Sequence, residues 1–297
     1  MDAASPHLAR IQACFPDLPI SSVETNAEGL VNDVVIINGE WVFRFPRSER
    51  ARTSLAAEAS ILDLVRRHVT LRVPVIDRRE DDFLVHRLLP GVPLSQEQIL
   101  DQSVSGQDAL LEPLAVFLRQ LHAIPQGELA RLDIPVSDAQ RSRSDWVGLY
   151  QAVERELFPL MMAHVRDRVK RHFEPVLEDR MPVSHRPALV HGDLGPYHIL
   201  CDRVARRLTG VIDFGTAGMG DPAVDFACVM YFVGESLLRR MAGFYPGIRE
   251  ALDRARFWAG TLELQWALAG VRSKDLSWLL CHVGGARDAM PVGSGWG

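Results

Sequence analysis

The segment HGDLGPYHILCDRVARRLTGVIDFG concentrates side chains able to do chemistry. His191-Gly192-Asp193 is followed by His198, five residues after the aspartate, and by Asp213-Phe214-Gly215 at the end of an apolar run. One carboxylate on a loop can take a proton from a hydroxyl, while a second can hold a divalent cation. That pairing suits phosphoryl transfer, which needs an oriented hydroxyl and charge neutralisation on phosphates more than covalent help from the protein. Either motif alone also fits a loop cap or a strand end; their order and their placement beside strands give the chemical reading. No Walker A sequence and no GxGxxG occurs, and NAEGLVN offers one glycine for a phosphate-covering loop. GTAGMG only superficially resembles a dinucleotide fingerprint, because it opens into Asp221-Pro222, which reads as a helix N-cap with Pro at N1. Asp225, just beyond, reads as structural.

The two motifs together resemble the kinase catalytic loop followed by its metal-binding Asp-Phe-Gly. The resemblance makes Asp193 the base and makes Asp213 and His198 ligands of Mg²⁺, with ATP or GTP as co-substrate. Kinases usually carry Asn where this chain has His198, and imidazole is a poorer Mg²⁺ ligand that must be neutral to bind. A kinase also needs a cation on the nucleotide's phosphates, held by a helix carboxylate. The only lysines are Lys170 and Lys274, so in the first half the cation must be Arg or His. In the strand-like WVFRFPR, alternation sets Val42 and Arg44 on one face and Trp41, Phe43 and Phe45 on the other. Arg44 is the candidate cation and Val42 a candidate wall of the base pocket, an exposed strand cation being the alternative. Glu58 falls on the apolar stripe of Leu55, Leu62 and Val65, where a carboxylate wants a partner, and Arg44 is the natural one.

A chain of 297 residues with 47% hydrophobic content can fill a large core. The net charge of −5 gives no polybasic surface, so neither nucleic acid nor an anionic membrane is an expected partner. Four cysteines lack metal-site spacing and no disulfide framework is suggested; with no apolar signal core and no long apolar run, a cytoplasmic location is expected.

These groups need elements to position them. VVIING and EWVFRFP joined by Asn38-Gly39 predict a β-hairpin over 31–46. A helix carrying Glu58 follows, then strands in VPVID and FLVHRLLPGVPL. Leu110, Leu114, Phe117 and Leu121 begin a helical region in which Pro113 implies a kink or a late start, and helical text resumes over 143–178. Strands in PALV and LTGVI bracket the catalytic loop, and the remainder to about 288 reads as helix. The fold class is α+β: a bilobal protein-kinase-like fold with a small strand-rich N-lobe (1–90) bearing one main helix, and a larger, mostly helical C-lobe (91–297).

Over most of its length the chain resembles the aminoglycoside phosphotransferase family, through NGEWVFRFPR, the helix with Glu58, FLVHRLLPGVPL, HGDLGPYHIL and GVIDFGTAGMGDPAVDFACVM. His198 in place of Asn is similar to a variant of the 2''-aminoglycoside and macrolide groups. The resemblance implies a nucleotide under a hinge near His86, Leu88 and Leu89, and transfer of its γ-phosphate to an antibiotic hydroxyl. An aminoglycoside is the favoured acceptor, with a macrolide phosphotransferase or housekeeping small-molecule kinase as the alternative and a nucleotide-binding pseudo-enzyme as the third. Only five residues separate Gly215 from Asp221, too few for a segment that presents a peptide, so the acceptor is small. Candidate acceptor contacts are Glu235, Glu263 and Asp275, although solvated helix faces are the commoner explanation for such residues. Trp258, Trp266 and Trp278 fit a macrolide pocket or the core. A monomer or weak dimer is expected.

Overall fold

The computed structural model describes residues 4–26, 32–137, 141–181 and 185–274. Asp275, Trp278, Cys281 and the glycine of NAEGLVN lie outside them. Helix α1 (Ala4–Cys14) leads into β1 (Val23–Asn26), β2 (Asn32–Ile37) and β3 (Trp41–Pro46). With β4 (Ile76–Arg79) and β5 (Leu84–Arg87) these form an antiparallel sheet of order β1-β2-β3-β5-β4. The expected hairpin is present. Asn38 and Gly39 adopt φ of 57° and 62°, and the Glu40 N–H closes the turn on the Ile37 carbonyl at 3.0 Å. The Asn38 side chain accepts the N–H groups of Ser21 and Ser22 and donates to the Pro19 carbonyl, tying the α1–β1 connection to the turn.

Alternation along β3 divides the two sides of the sheet. Phe43 and Phe45 join Ile11, Val35, Ile37, Phe83 and Val85 in an apolar cluster that includes α1. Val42 and Arg44 are buried on the opposite side, toward α2 (Glu49–Val65), which Ser48 caps by accepting the Ala51 N–H. Ile61, Leu62, Leu64 and Val65 of α2 belong to the second, larger apolar cluster. The helix that carries Glu58 is thereby seated on the helical part of the molecule.

That part begins with β6 (Val92–Pro93), followed by α3 (Gln96–Leu100), α4 (Val104–His122), α5 (Gln126–Leu129), α6 (Arg143–Glu156) and α7 (Ala163–Leu177). Helix α4 starts at Val104 behind the Ser103 cap, so Pro113 lies inside it rather than delaying its start. Next come β7 (Ala188–Val190), β8 (Ile199–Asp202), β9 (Arg207–Val211), β10 (Gly218–Gly220), α8 (Ala223–Val233), α9 (Glu235–Met241) and α10 (Gly247–Ser273). Strands β6, β8 and β9 form one small antiparallel sheet, and β7 pairs with β10. Helix α8 opens one residue later than the sequence suggests, with the Asp221 carboxylate accepting the Ala223 N–H at 3.0 Å. No helix among the described residues is long and apolar enough to cross a membrane. The Val211 N–H donates to the Arg72 carbonyl at 2.8 Å, joining the segment after α2 to β9 just before Asp213.

Candidate active site

Strand β7 delivers His191-Gly192-Asp193 to a loop whose backbone is fixed from below. The fully buried Asp225 of α8 accepts the His191 N–H at 2.9 Å and the Gly192 N–H at 2.8 Å, one on each carboxylate oxygen. His122 Nε2 stands 3.0 Å from the same carboxylate, and its Nδ1 is 3.2 Å from the Tyr245 hydroxyl. Burial works against the Asp225 charge, but His122 and the backbone donors outweigh it and hold the carboxyl below its usual range. Gly192 has φ +82°, and a Cβ there would lie 2.9 Å from the Thr216 carbonyl, so glycine is required. His191 Nε2 lies 3.0 Å from the Ile212 carbonyl and its Nδ1 3.3 Å from the Asp193 N–H. One neutral tautomer satisfies both contacts, and burial lowers the ring's pKa in agreement.

The cation side is built by β3, α2 and the end of β9. Arg44 donates one guanidinium nitrogen to Glu58 and the other to Asp213 Oδ1 at 2.8 Å. Glu58 also receives the Phe214 N–H, and its pKa is raised, first by burial and then by the charge of Asp213, with Arg44 opposing. Asp213 has φ +64°, accepts the Gly215 N–H at 3.3 Å and faces His198 Nε2 at 3.3 Å. Burial acts against its charge, yet His198 and Arg44 hold its pKa far below the usual carboxylate range. His198 donates from Nδ1 to the Asp193 carbonyl at 2.7 Å, which directs Nε2 at Asp213. Its own pKa is raised: burial opposes the charge, and the contacts with Asp213 and Asp193 exceed it.

With its imidazole neutral, His198 could hold one divalent cation together with Asp213. His198 Nε2 and Asp213 Oδ2 are 3.3 Å apart and meet each other directly. No group of three or more His, Cys, Asp or Glu converges on a metal position among the described residues. A cation held by these two side chains would take its remaining ligands from phosphate and water.

Arg44, Glu58, His198, Asp213 and Asp193 are therefore brought together. Val42 sits opposite His86 in the β3–β5 pairing, and both are buried, with His86 Nδ1 2.8 Å from the Arg87 carbonyl. Leu88 and Leu89 line a groove of about 470 Å³ with Val69, Leu71, Arg72 and Val75. Glu235 corrects an expectation: it is 3% exposed and held by Arg256 at 3.0 and 2.5 Å, so it anchors α9 to α10 instead of facing an acceptor. Glu263 is half-buried and accepts the Tyr231 hydroxyl at 3.0 Å. Trp258 is core, packed edge-on to Trp146 at 4.5 Å, while Trp266 meets Tyr231.

Two participants carry no signal that spacing could raise. Tyr197 donates its hydroxyl to Asp193 Oδ1 at 3.1 Å, and His122 meets Asp225 from a helix far away in sequence.

The model of the "Phosphotransferase enzyme family" matches residues 22–264. Viomycin phosphotransferase of Streptomyces vinaceus is 31% identical over 267 residues, covering 85% of this chain and 89% of that protein. The solved GDP complex of wild-type aminoglycoside 2'-phosphotransferase-IIIa is 28% identical with a TM-score of 0.85, covering 95% of this chain and 96% of that one. A macrolide 2'-phosphotransferase type I superposes with a TM-score of 0.75 at 21% identity, covering 98% of each chain, which speaks to the fold alone.

Proposed function

From the premise that the chain belongs to the phosphotransferase enzyme family, we propose that it moves the γ-phosphate of ATP or GTP to a hydroxyl of an antibiotic, an aminoglycoside first. The carrying observation is the convergence of Asp193, His198, Asp213, Arg44 and Glu58 from four separate stretches of chain onto one site. In this reading residues 1–90 cover the nucleotide, and residues 91–297 supply the loop, the metal ligands and the acceptor side.

Asp193 accepts a hydrogen bond from the acceptor hydroxyl and takes its proton as the new P–O bond forms. Arg44, fixed by Glu58, places positive charge against the nucleotide phosphates, and its two-pronged donor set suits phosphate oxygens. His198 and Asp213 would hold Mg²⁺, which when bound screens the phosphate charge. Asp225 and Gly192 keep the loop in register so that Asp193 faces this cation side. The short stretch after Gly215 is taken up by β10 pairing with β7, which supports a small acceptor. A second reading has specific support: the 31% identity to viomycin phosphotransferase favours viomycin itself as an acceptor.

The test is Mg²⁺-dependent transfer from ATP and from GTP to a panel of aminoglycosides, viomycin and macrolides, with Asp193→Ala as control. Removal of a general base costs about 10²–10⁴ in rate, so the control is expected to lose nearly all turnover while still binding nucleotide. Nucleotide binding with no transfer to any acceptor would overturn the reading and favour a pseudo-enzyme.

A further inference from the structure

The half-exposed tyrosine at the catalytic carboxylate has no part in the chemistry described so far. Tyr197 is 50% exposed although its hydroxyl sits 3.1 Å from Asp193 Oδ1. Its ring meets the His198 ring edge-to-face, with centroids 4.4 Å apart. A carboxylate oxygen accepts, so the tyrosine hydroxyl is the donor of this bond. The fit depends on the residue before Pro196. A Cβ at Gly195 would lie 2.4 Å from Tyr197 Cζ and 2.7 Å from its hydroxyl oxygen. Gly195 has φ −76° and ψ 167°, which any residue adopts, so glycine is needed here for room and not for backbone freedom. The loop is therefore shaped to let a ring lie back over it, touch the base and leave part of its surface to solvent.

We infer that Tyr197 is the acceptor-binding residue of the site: its exposed ring receives a cationic amino sugar, and its hydroxyl fixes Asp193 for the incoming acceptor hydroxyl. A carboxylate has lone pairs for several donors, so the tyrosine and the acceptor can bond to Asp193 together. The bond from Tyr197 fixes the plane of the carboxylate. A protonated amine against the open part of the ring gains a cation–π contact, strongest where water is excluded. The inference rests on the antibiotic-phosphotransferase reading of this site.

Three variants of the full chain separate these roles, each assayed for acceptor KM, nucleotide KM, kcat and nucleotide hydrolysis without acceptor. Tyr197→Ala is expected to raise acceptor KM about tenfold, with nucleotide KM changed less than about twofold. Tyr197→Phe keeps the ring, so acceptor KM holds while kcat falls several-fold. Gly195→Ala, in which the tyrosine is intact but displaced, raises acceptor KM and adds nothing further in a Tyr197→Ala background. An acceptor KM unmoved by Tyr197→Ala, or full additivity of the two substitutions, overturns the inference. So does a parallel rise in both KM values, which marks a merely structural role. If the wild type hydrolyses nucleotide but serves no antibiotic, the antibiotic reading falls separately; hydrolysis reduced by Tyr197→Phe then sustains the bond to Asp193, and unchanged hydrolysis overturns it.

Discussion

Replacing Arg44 by alanine tests whether the cation side is held together as described. The Arg44 and Glu58 side chains are 7% and 3% exposed, and Arg44 also reaches Asp213. Removing one partner of a buried ion pair leaves the other charge without compensation, a cost of about 3–5 kcal/mol. For a chain of this size each kcal/mol moves the midpoint by roughly 2 °C, so a fall of about 6–10 °C is expected. The penalty should also depend on pH, in a definite direction. Glu58 has a raised pKa in the folded protein even with Arg44 present, and loses its main counter-charge in the variant. A carboxyl raised in the folded state favours folding while it is protonated, and that benefit disappears as pH climbs through the folded pKa. The penalty should therefore grow from pH 5 to pH 8, by at most about 1.4 kcal/mol per pH unit. The depressed pKa of Asp213 works in the same sense, but only near and below the usual carboxylate range. Urea denaturation of nucleotide-free wild type and variant across pH 5–8 reads both quantities. A penalty below about 1 kcal/mol, or one that is flat or larger at pH 5, would refute the account of a buried pair. Arg44→Lys should recover part of the loss only, since one ammonium cannot reproduce a fork that addresses two carboxylates.

Two further outcomes are expected. Gly192→Ala meets both the positive φ and the Thr216 carbonyl, so it should cost about 1–3 kcal/mol and lower phosphate transfer more than nucleotide affinity; a variant with wild-type melting point and kcat would show that the loop adapts. His86 is buried with its pKa lowered by desolvation, so the folded state resists a proton that the unfolded chain accepts near pH 6.5. Stability is therefore lost as pH falls below that value, by up to about 1.4 kcal/mol per pH unit. His86→Leu should make the decline between pH 7 and pH 5 shallower, with His172, also lowered by burial, retaining its share; an unchanged slope in chemical denaturation would contradict this.

The strands and helices that sequence reading reaches are those whose period or turn chemistry is local. Asn38-Gly39 marks its turn because both residues must adopt positive φ, and Leu55, Leu62 and Val65 mark α2 by spacing within one helix. Strand β8 escapes because ILCD is too short to show alternation and lies inside what reads as a loop; its pairing with β6 and β9 makes it a strand. Helix α1 has the same difficulty, since Ile11 is buried only because the sheet places Phe43 and Phe83 beneath it. Pro113 misdirects in the other direction: it argues for a boundary, while apolar burial on both sides of it continues α4.

The same division runs through the site. Asp193, His198, Asp213, Arg44 and Glu58 are legible because the proposed chemistry restricts residue type at each, and four of them lie where a motif or an apolar stripe draws attention. Glu235 misleads because an acid in the first turn of a helix looks alike whether water or an arginine faces it; only the fold brings Arg256 to its carboxylate. Asp225 and His122 are the opposite case, an aspartate in an apolar helix and a histidine at a helix end, with no spacing that joins them. Yet a carboxylate in a fully buried position must find donors, and beside His122 those here are the backbone N–H groups immediately before Asp193. The placement of Asp193 is thus tied to a residue on a helix whose own packing against α10 and α9 fixes where that carboxylate stands. Buried charge within an apolar helix is the one sequence signal that could have led to it, because desolvation leaves such a group no choice but to organise whatever backbone lies nearest.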